Sequence, residues 1–252
     1  MRKLLLVFLI FSLSSCGNND IKISAVRKSF KKSYGNCDTG RCMEFSVVYD
    51  SIVSENAEAG RINEFIKNKI LEDFPDDENP DNFDELYKLL KKEYLEFIND
   101  IPDVFISWRY NFEVALECFC QPVISIKYDK YEYTGGAHGN ETVVYYNFKF
   151  VNGKPELIDN PFNPRETEMI IAWIKNELRK KFKLKENEPL ENAGLWESFD
   201  SSYRFNNNFK ITKKGLSIIF NQYEIAPYSM GIIEVEIPYE KLPGSVYEKF
   251  FN

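Results

Sequence analysis

Apolar residues recur along this chain with two periods, and the alternation between them lays out the elements. Segments 25–34 and 43–53 carry strand content, as in Phe45, Val47, Val48 and Tyr49. A helix is predicted over 57–72, because Ile62, Phe65, Ile66 and Ile70 share one face at helical spacing. The stretch "EDFPDDENPDNFDE" at 72–85 is acidic and holds two prolines, so it reads as a solvated loop. It lacks the spacing and central glycine of an EF-hand calcium loop. The clearest helix spans 83–99, where Phe83, Leu86, Tyr87, Leu90, Tyr94, Phe97 and Ile98 repeat at i, i+3 and i+4. Asn82 and Glu85 form its capping pair, and Pro102 closes the segment.

From 104 to 150 the period shortens to two. Val104–Cys120 and Val123–Tyr133 are rich in aromatic and β-branched residues, with Gln121-Pro122 between them. Val144, Tyr146, Phe148 and Phe150 then alternate with Tyr145, Asn147 and Lys149, as in a half-buried strand. Asn152-Gly153 is a hairpin signal, since both residues tolerate positive φ. A second strong helix starts at Pro164, capped by Asn163 with Glu166 three residues on. Ile170, Trp173, Ile174, Leu178 and Phe182 form its apolar face. Arg179, Lys180, Lys181 and Lys183 complement the dipole at its end and need no ligand. Residues 184–208 read as irregular and polar. A β-meander follows: Phe209 and Ile211, a turn at Lys213-Lys214-Gly215, then Leu216, Ile218 and Phe220 alternating with polar or exposed positions. "NQYEIAPYSMG" interrupts at 221–231, Ile233, Val235 and Ile237 resume with Glu234 and Glu236 opposite, and Tyr239–Phe251 predicts a short closing helix. The pattern predicts an α+β protein of two small mixed subdomains, with antiparallel sheets packed on helices and a C-terminal β-meander.

The N-terminus changes the cellular picture. Arg2 and Lys3 precede an apolar run from Leu4 to Leu13, too short to cross a bilayer but sized for a signal peptide. Leu13-Ser14-Ser15-Cys16 resembles a bacterial lipobox, in which Cys16 becomes the lipidated first residue of the mature chain. More than one acyl chain anchors stably. The expected organisation is a signal peptide at 1–15, lipidated Cys16 with a tether at 16–23, a first subdomain at 24–138 and a second at 139–252. The expected location is a bacterial cell envelope, lipid-anchored and facing the periplasm or exterior.

Charge and cysteines narrow the partners. The chain carries 32 Lys and Arg against 39 Asp and Glu, so loss of Arg2 and Lys3 leaves 30 against 39, a net −9. Such a surface disfavours nucleic acid and favours cationic partners, with salt-sensitive association. Besides Cys16, four cysteines remain: Cys37, Cys42, Cys118 and Cys120. In an exported chain they imply two disulfides. Cross-links between the Cys37–Cys42 loop and the Cys118–Cys120 strand are the favoured pairing, a local Cys37–Cys42 bridge comes next, and Cys118–Cys120 ranks last. The C-x4-C and C-x-C spacings suit zinc poorly, and no metal or cofactor is expected.

Candidate chemistry centres on "YEYTGGAHGN" at 131–140, which holds the only histidine, His138. No G-x-S-x-G elbow and no H-E-x-x-H occurs. The glycines Gly135, Gly136 and Gly139 allow positive φ or close backbone approach. Glu224, flanked by Tyr223 and followed by Pro227-Tyr228, is the one acid in a distinctive context.

The stretch "YTGGAHGN" at 133–140, with "FKITKKGLSIIFNQYEIAPYSMGIIEVEIPYEKL" at 209–242, resembles the paired domain-of-unknown-function families 4163 and 3298. The resemblance covers nearly the whole mature chain, about 24–138 and 142–250. It implies exported or surface-attached bacterial proteins, often lipoproteins, with an α+β fold. Some members are ectodomains of lysozyme-sensing anti-sigma factors, and others sit beside a peptidoglycan deacetylase domain. It assigns no catalytic residues. No transmembrane helix, sigma-binding segment or deacetylase domain is evident in the sequence, so signalling to a sigma factor is not expected.

Two expectations follow. The first is a non-enzymatic, lipid-anchored envelope protein that binds a lysozyme-like cationic protein or peptidoglycan. Its candidate surface is the loops Tyr133–Asn140 and Tyr223–Gly231, through Tyr133, Thr134, Gly135, Gly136, His138, Tyr223, Glu224, Pro227 and Tyr228. The second is a cell-wall glycan hydrolase or deacetylase using His138 and Glu224 as acid–base groups, which requires the two to converge in a cleft. A purely structural envelope lipoprotein is the remaining alternative.

Overall fold

A computed structural model describes residues 22–73, 79–197, 199 and 204–252. The signal peptide, Cys16 and most of the tether lie outside the described residues, as does the centre of the acidic loop. Two compact units emerge. The first runs to Ala115 and adds Asp129–Asn140 and Gly153–Pro155; the second comprises Leu116–Tyr128, Glu141–Asn152 and Glu156–Asn252. The chain passes between them several times rather than once near residue 138.

One sheet has six strands in sequence order: β1 (Ile23–Asn36), β2 (Arg41–Ser54), β3 (Ser107–Cys120), β4 (Val123–Tyr133), β5 (Asn140–Val151) and β6 (Lys154–Leu157). β1 and β2 form a 14-residue antiparallel ribbon, Ile23 opposite Ser54. β2 and β3 are parallel, Cys42 opposite Ser107 and Tyr49 opposite Val114. The expected antiparallel sheets therefore include a parallel pair, β2 on β3. Its cause is the helical crossover, α1 (Gly60–Leu71) and α2 (Phe83–Asp100), which returns the chain to the same end of the sheet.

Both helices bury the faces that their periodicity predicts. Ile62, Ile66 and Ile70 of α1 and Leu86, Tyr87, Leu90 and Tyr94 of α2 are buried. They join Met43, Phe45 and Val47 of β2 and Trp108, Tyr110, Phe112 and Val114 of β3 in the core. Each large apolar side chain removed from water there contributes about 1.5–3 kcal/mol. Edge contacts such as Phe45–Phe112 at 6.0 Å and Tyr94–Trp108 at 5.4 Å fix how they interlock. Asn82 caps α2 by accepting from the Asp84 and Glu85 N–H groups.

The second unit is built on a three-stranded antiparallel meander: β7 (Phe209–Ile211), β8 (Gly215–Phe220) and β9 (Ile233–Pro238). α3 (Pro164–Lys181) covers it with Ile170, Ile174 and Leu178, and α4 (Gly244–Phe251) adds Val246 and Phe250. The capping box at Asn163 and Glu166 forms in full.

Three local expectations are corrected in this unit. All six residues of β8 are buried, so strict alternation fails. One face joins the α3 core, and on the other Ile219 clusters with Val143 and Tyr145 of β5. On β5 the buried set includes Val143, Tyr145 and Asn147, while Val144 and Tyr146 are half-buried. The segment 184–208 is not merely polar, because Leu190, Leu195 and Phe199 enter the core.

The cysteines pair Cys37–Cys42 and Cys118–Cys120, with Cα separations of 4.9 and 5.6 Å. This overturns the favoured cross-linking. The parallel register sets Cys42 opposite Ser107, which opens β3, whereas Cys118 and Cys120 close that strand. Both bonds are local, at Cα spacings that a disulfide accepts.

Candidate functional site

In the second unit, β5 faces the meander across a layer of amides. Asn147, 2% exposed, donates to the Phe209 carbonyl at 2.7 Å and accepts from the Ser125 hydroxyl at 2.6 Å and the Ile211 N–H at 3.3 Å. Asn208 accepts from the Tyr145 N–H at 3.0 Å and donates to the Val143 carbonyl at 2.7 Å. Asn221 accepts from the Val143 N–H at 2.7 Å and donates to the same carbonyl at 3.0 Å. These side chains behave as a strand edge would, pairing backbone groups that would otherwise be buried without partners.

Glu224 ends this layer. Its carboxylate accepts from the Asn221 N–H at 2.8 Å and the Asn206 amide at 2.5 Å. Burial pushes its pKa above the usual carboxylate value, against the lowering effect of those two bonds. Asn206 also donates to the Ile219 carbonyl at 2.7 Å. Glu224 therefore ties the 221–231 loop to β8 and to the Asn206-Asn207-Asn208 run.

The residue before Glu224 points outward. Tyr223 lies at φ 65 and is 54% exposed. Positive φ is a costly conformation for a bulky side chain, about 1–3 kcal/mol. The Tyr223 and Tyr228 rings pack at 5.8 Å. Trp196, 38% exposed, donates from its indole to the Tyr223 carbonyl at 3.3 Å, and its backbone N–H donates to the Ile225 carbonyl at 2.8 Å. Ile225 and Ala226 are buried beneath, and Pro227 leads into the short turn Tyr228–Met230. Exposed Tyr223 and half-buried Tyr228 thus pack together on a fixed loop, with exposed Trp196 bonded to its backbone.

The other predicted stretch belongs to the first unit. Tyr133 donates from its hydroxyl to the Gly136 carbonyl at 3.1 Å, closing the turn that carries Thr134 and Gly135. Gly135 lies at φ 122, and a Cβ there would meet the Ile106 side chain at 2.6 Å. Tyr131 lies against Gly139 so closely that a Cβ would overlap its ring. His138 is exposed, with Nδ1 at 3.0 Å from the Gly139 carbonyl. His138 and Glu224 belong to different units, and each is held by groups of its own unit. Among the described residues, no three His, Cys, Asp or Glu side chains group as a metal site, and no helix is long and apolar enough to cross a membrane.

Trp196, Ser125, Asn147, Asn206, Asn208 and Asn221 were not legible as site residues. The one local signal was the triple asparagine at 206–208, placed directly before β7.

Two family models match this chain. Residues 160–240 match the model described as protein of unknown function (DUF3298), and residues 38–141 match deacetylase PdaC. The C-terminal resemblance therefore stands, while the N-terminal match carries the PdaC description and not family 4163. The lysozyme-sensing anti-sigma aspect has no counterpart among these matches. Among solved structures, a DUF3298 family member from Bacteroides fragilis aligns at a TM-score of 0.64 and 19% identity, covering 87% of this chain and 91% of its own. A DUF3298 family protein from Pseudomonas aeruginosa aligns at 0.61 and 16% identity, covering 89% and 93%. At such identities the likeness establishes the α+β fold. No curated protein matches the chain.

Proposed function

We propose that this chain is a non-enzymatic accessory module of the bacterial cell envelope, lipid-anchored through Cys16, that binds cell-wall glycan through Trp196, Tyr223 and Tyr228. The observation that carries the reading is the presentation of Tyr223. A bulky residue is held at positive φ with its ring in solvent, while Glu224 and the Trp196 indole fix the backbone on either side. Conformational cost of this kind persists where an exposed group has work to do. Aromatic faces suit the apolar faces of sugar rings. The PdaC match over 38–141 and the resemblance to modules beside peptidoglycan deacetylases support a cell-wall ligand. His138 and Glu224 serve the shape of their own loops in this reading.

The test is co-sedimentation of the full-length protein with purified peptidoglycan sacculi. Tyr223→Ala and Trp196→Ala should each weaken binding about tenfold, the loss of one well-packed aromatic contact. Wild-type protein that stays in the supernatant at low salt refutes the reading. Capture of lysozyme with no retention on sacculi replaces the glycan by a cationic protein. For the anchor, palmitate labelling of cells should mark the wild type and not Cys16→Ser.

A further inference from the structure

A second feature of the same unit lies in the "IPYEKL" part of the C-terminal motif. The turn between β7 and β8, the end of β9 and α4 enclose a groove of about 880 Å³. Its size falls in the range of small-molecule sites. Tyr239 and Tyr247 supply aromatic wall, their ring centroids 5.2 Å apart and nearly perpendicular. Tyr247 is 44% exposed. The Tyr239 hydroxyl is buried, yet among the described residues it has no hydrogen-bond partner. A buried hydroxyl left unpaired is disfavoured, so its retention calls for a partner from outside the chain. Burial, reinforced by Tyr247, pushes its pKa up, so the group stays protonated and can donate.

The charges at the rim point to what that partner is. Lys213 and Lys214 line the groove, and neither ammonium has an ion-pair partner among the described residues. Two adjacent unpaired cations on a strongly acidic chain favour an anion. Glu236 and Glu240 line the same groove. They disfavour a bare anion such as phosphate but can accept from a ligand rich in hydroxyl groups.

We propose that this groove binds a carboxylate-bearing saccharide. Lys213 and Lys214 meet its carboxylate, the Tyr239 hydroxyl donates to one of its oxygens, and the Tyr247 ring lies against an apolar sugar face. Glu236 and Glu240 accept from its hydroxyls. The site is separate from the Trp196–Tyr223–Tyr228 face and does not depend on it.

The full-length protein in detergent is titrated calorimetrically with three probes: muramyl dipeptide, a glucuronate–N-acetylglucosamine tetrasaccharide and neutral chitotetraose. At least one acidic probe should bind tenfold or more tightly than chitotetraose and weaken as salt rises. Preference for muramyl dipeptide assigns the carboxylate to peptidoglycan, and preference for the glucuronate probe assigns it to an acidic polysaccharide. Tyr239→Phe removes one oxygen and should cost about tenfold in affinity without lowering the melting temperature. The exposed double variant Lys213→Ala/Lys214→Ala should lose the preference for acid and most of the salt dependence. Equal affinity for acidic and neutral probes overturns the proposal, as does unchanged affinity in either variant. Sacculus binding lost in Tyr223→Ala but kept in Tyr239→Phe, with no affinity for the acidic probes, would retain the envelope reading and remove this groove from it.

Discussion

Asn147→Leu gives the sharpest test of the second unit's architecture. The substitution keeps the approximate volume and removes the amide that bridges β5 to β7. Of the three bonds lost, two have substitutes. The Ile211 N–H keeps the Ser125 oxygen at 3.1 Å, and the Ser125 hydroxyl keeps the Ile211 carbonyl at 3.0 Å. The Phe209 carbonyl loses its Asn147 amide donor at 2.7 Å, with Phe209 itself 1% exposed. An acceptor left buried costs about 1–3 kcal/mol, and the two rearranged bonds about 1 kcal/mol more. Leucine returns about 1 kcal/mol through added apolar burial. The balance is a loss of about 2 kcal/mol, which lowers the melting temperature by about 4–8 °C for a chain of this size. Urea unfolding followed by tryptophan fluorescence should show the midpoint falling by about 1 M at unchanged slope. Ser125→Ala in the same background should be non-additive by at least about 0.5 kcal/mol, because both side chains serve Ile211. A midpoint that stays or rises, or strict additivity, refutes the claim that these amides act as a strand edge.

Other predictions concern charge, backbone and disulfides. Glu166 is buried, but Lys249, the Asn163 N–H and Ser245 outweigh that burial and hold its pKa below the usual value. Its stabilisation is present above the unfolded glutamate pKa of about 4.3 and is lost as pH falls through the lower folded value. Glu166→Gln should flatten that acid limb in a pH series of urea midpoints. Glu224 has the opposite sign: its raised pKa gives stability below about pH 4.3 that is lost as pH rises through the folded value. Glu224→Gln should therefore gain relative to wild type towards neutral pH, and parallel curves would refute the burial argument. At Gly215 a Cβ would fall against the Ile237 carbonyl and 2.8 Å from the Pro238 Cα, both backbone, so Gly215→Ala should cost about 2–3 kcal/mol by thermal unfolding. Non-reducing digestion should return Cys37 linked to Cys42 and Cys118 linked to Cys120; any peptide joining one pair to the other contradicts the register of β2 on β3.

Periodicity carried the helices well, because each has one buried face and one solvated face. Asn82, Asn163 and Pro164 mark their ends by chemistry that acts within one turn. It failed where an element is covered on two sides. Ser217 and Ile219 of β8 look like an outer face by alternation, yet both are buried, and Ile219 packs against Val143 and Tyr145 of β5. Asn147 and other buried amides like it fail for a related reason. Polar residues in a strand pattern signal solvent, and only a partner distant in sequence can satisfy them in the interior. The disulfides show the limit of a local rule: alternation along a strand disfavours pairing residues two apart, yet Cys118 and Cys120 are bonded at a Cα separation of 5.6 Å. The parallel β2–β3 pair was implicit in the two helices between those strands.

The two motif stretches solve the problem of a fixed loop by different means. In "YTGGAHG" the shape comes from missing side chains: Gly135 makes room for Ile106, Gly139 for the Tyr131 ring, and Tyr133 closes the turn on the Gly136 carbonyl. His138 stands at the surface of a shape defined by its neighbours. In "YEIAPY" the shape comes from side chains acting inward. Glu224 reaches Asn206 and Asn221, while Ile225 and Ala226 fill the core at 1% and 3% exposure. That inward half offsets the cost of the outward one, Tyr223 at positive φ beside Tyr228. The difference has a consequence for mutagenesis. Replacing Tyr223 or Tyr228 should alter binding at nearly constant stability, whereas replacing Glu224, Asn206 or Asn221 should alter both together. A face whose aromatic variants lost stability as steeply as their supports would be core, not presentation.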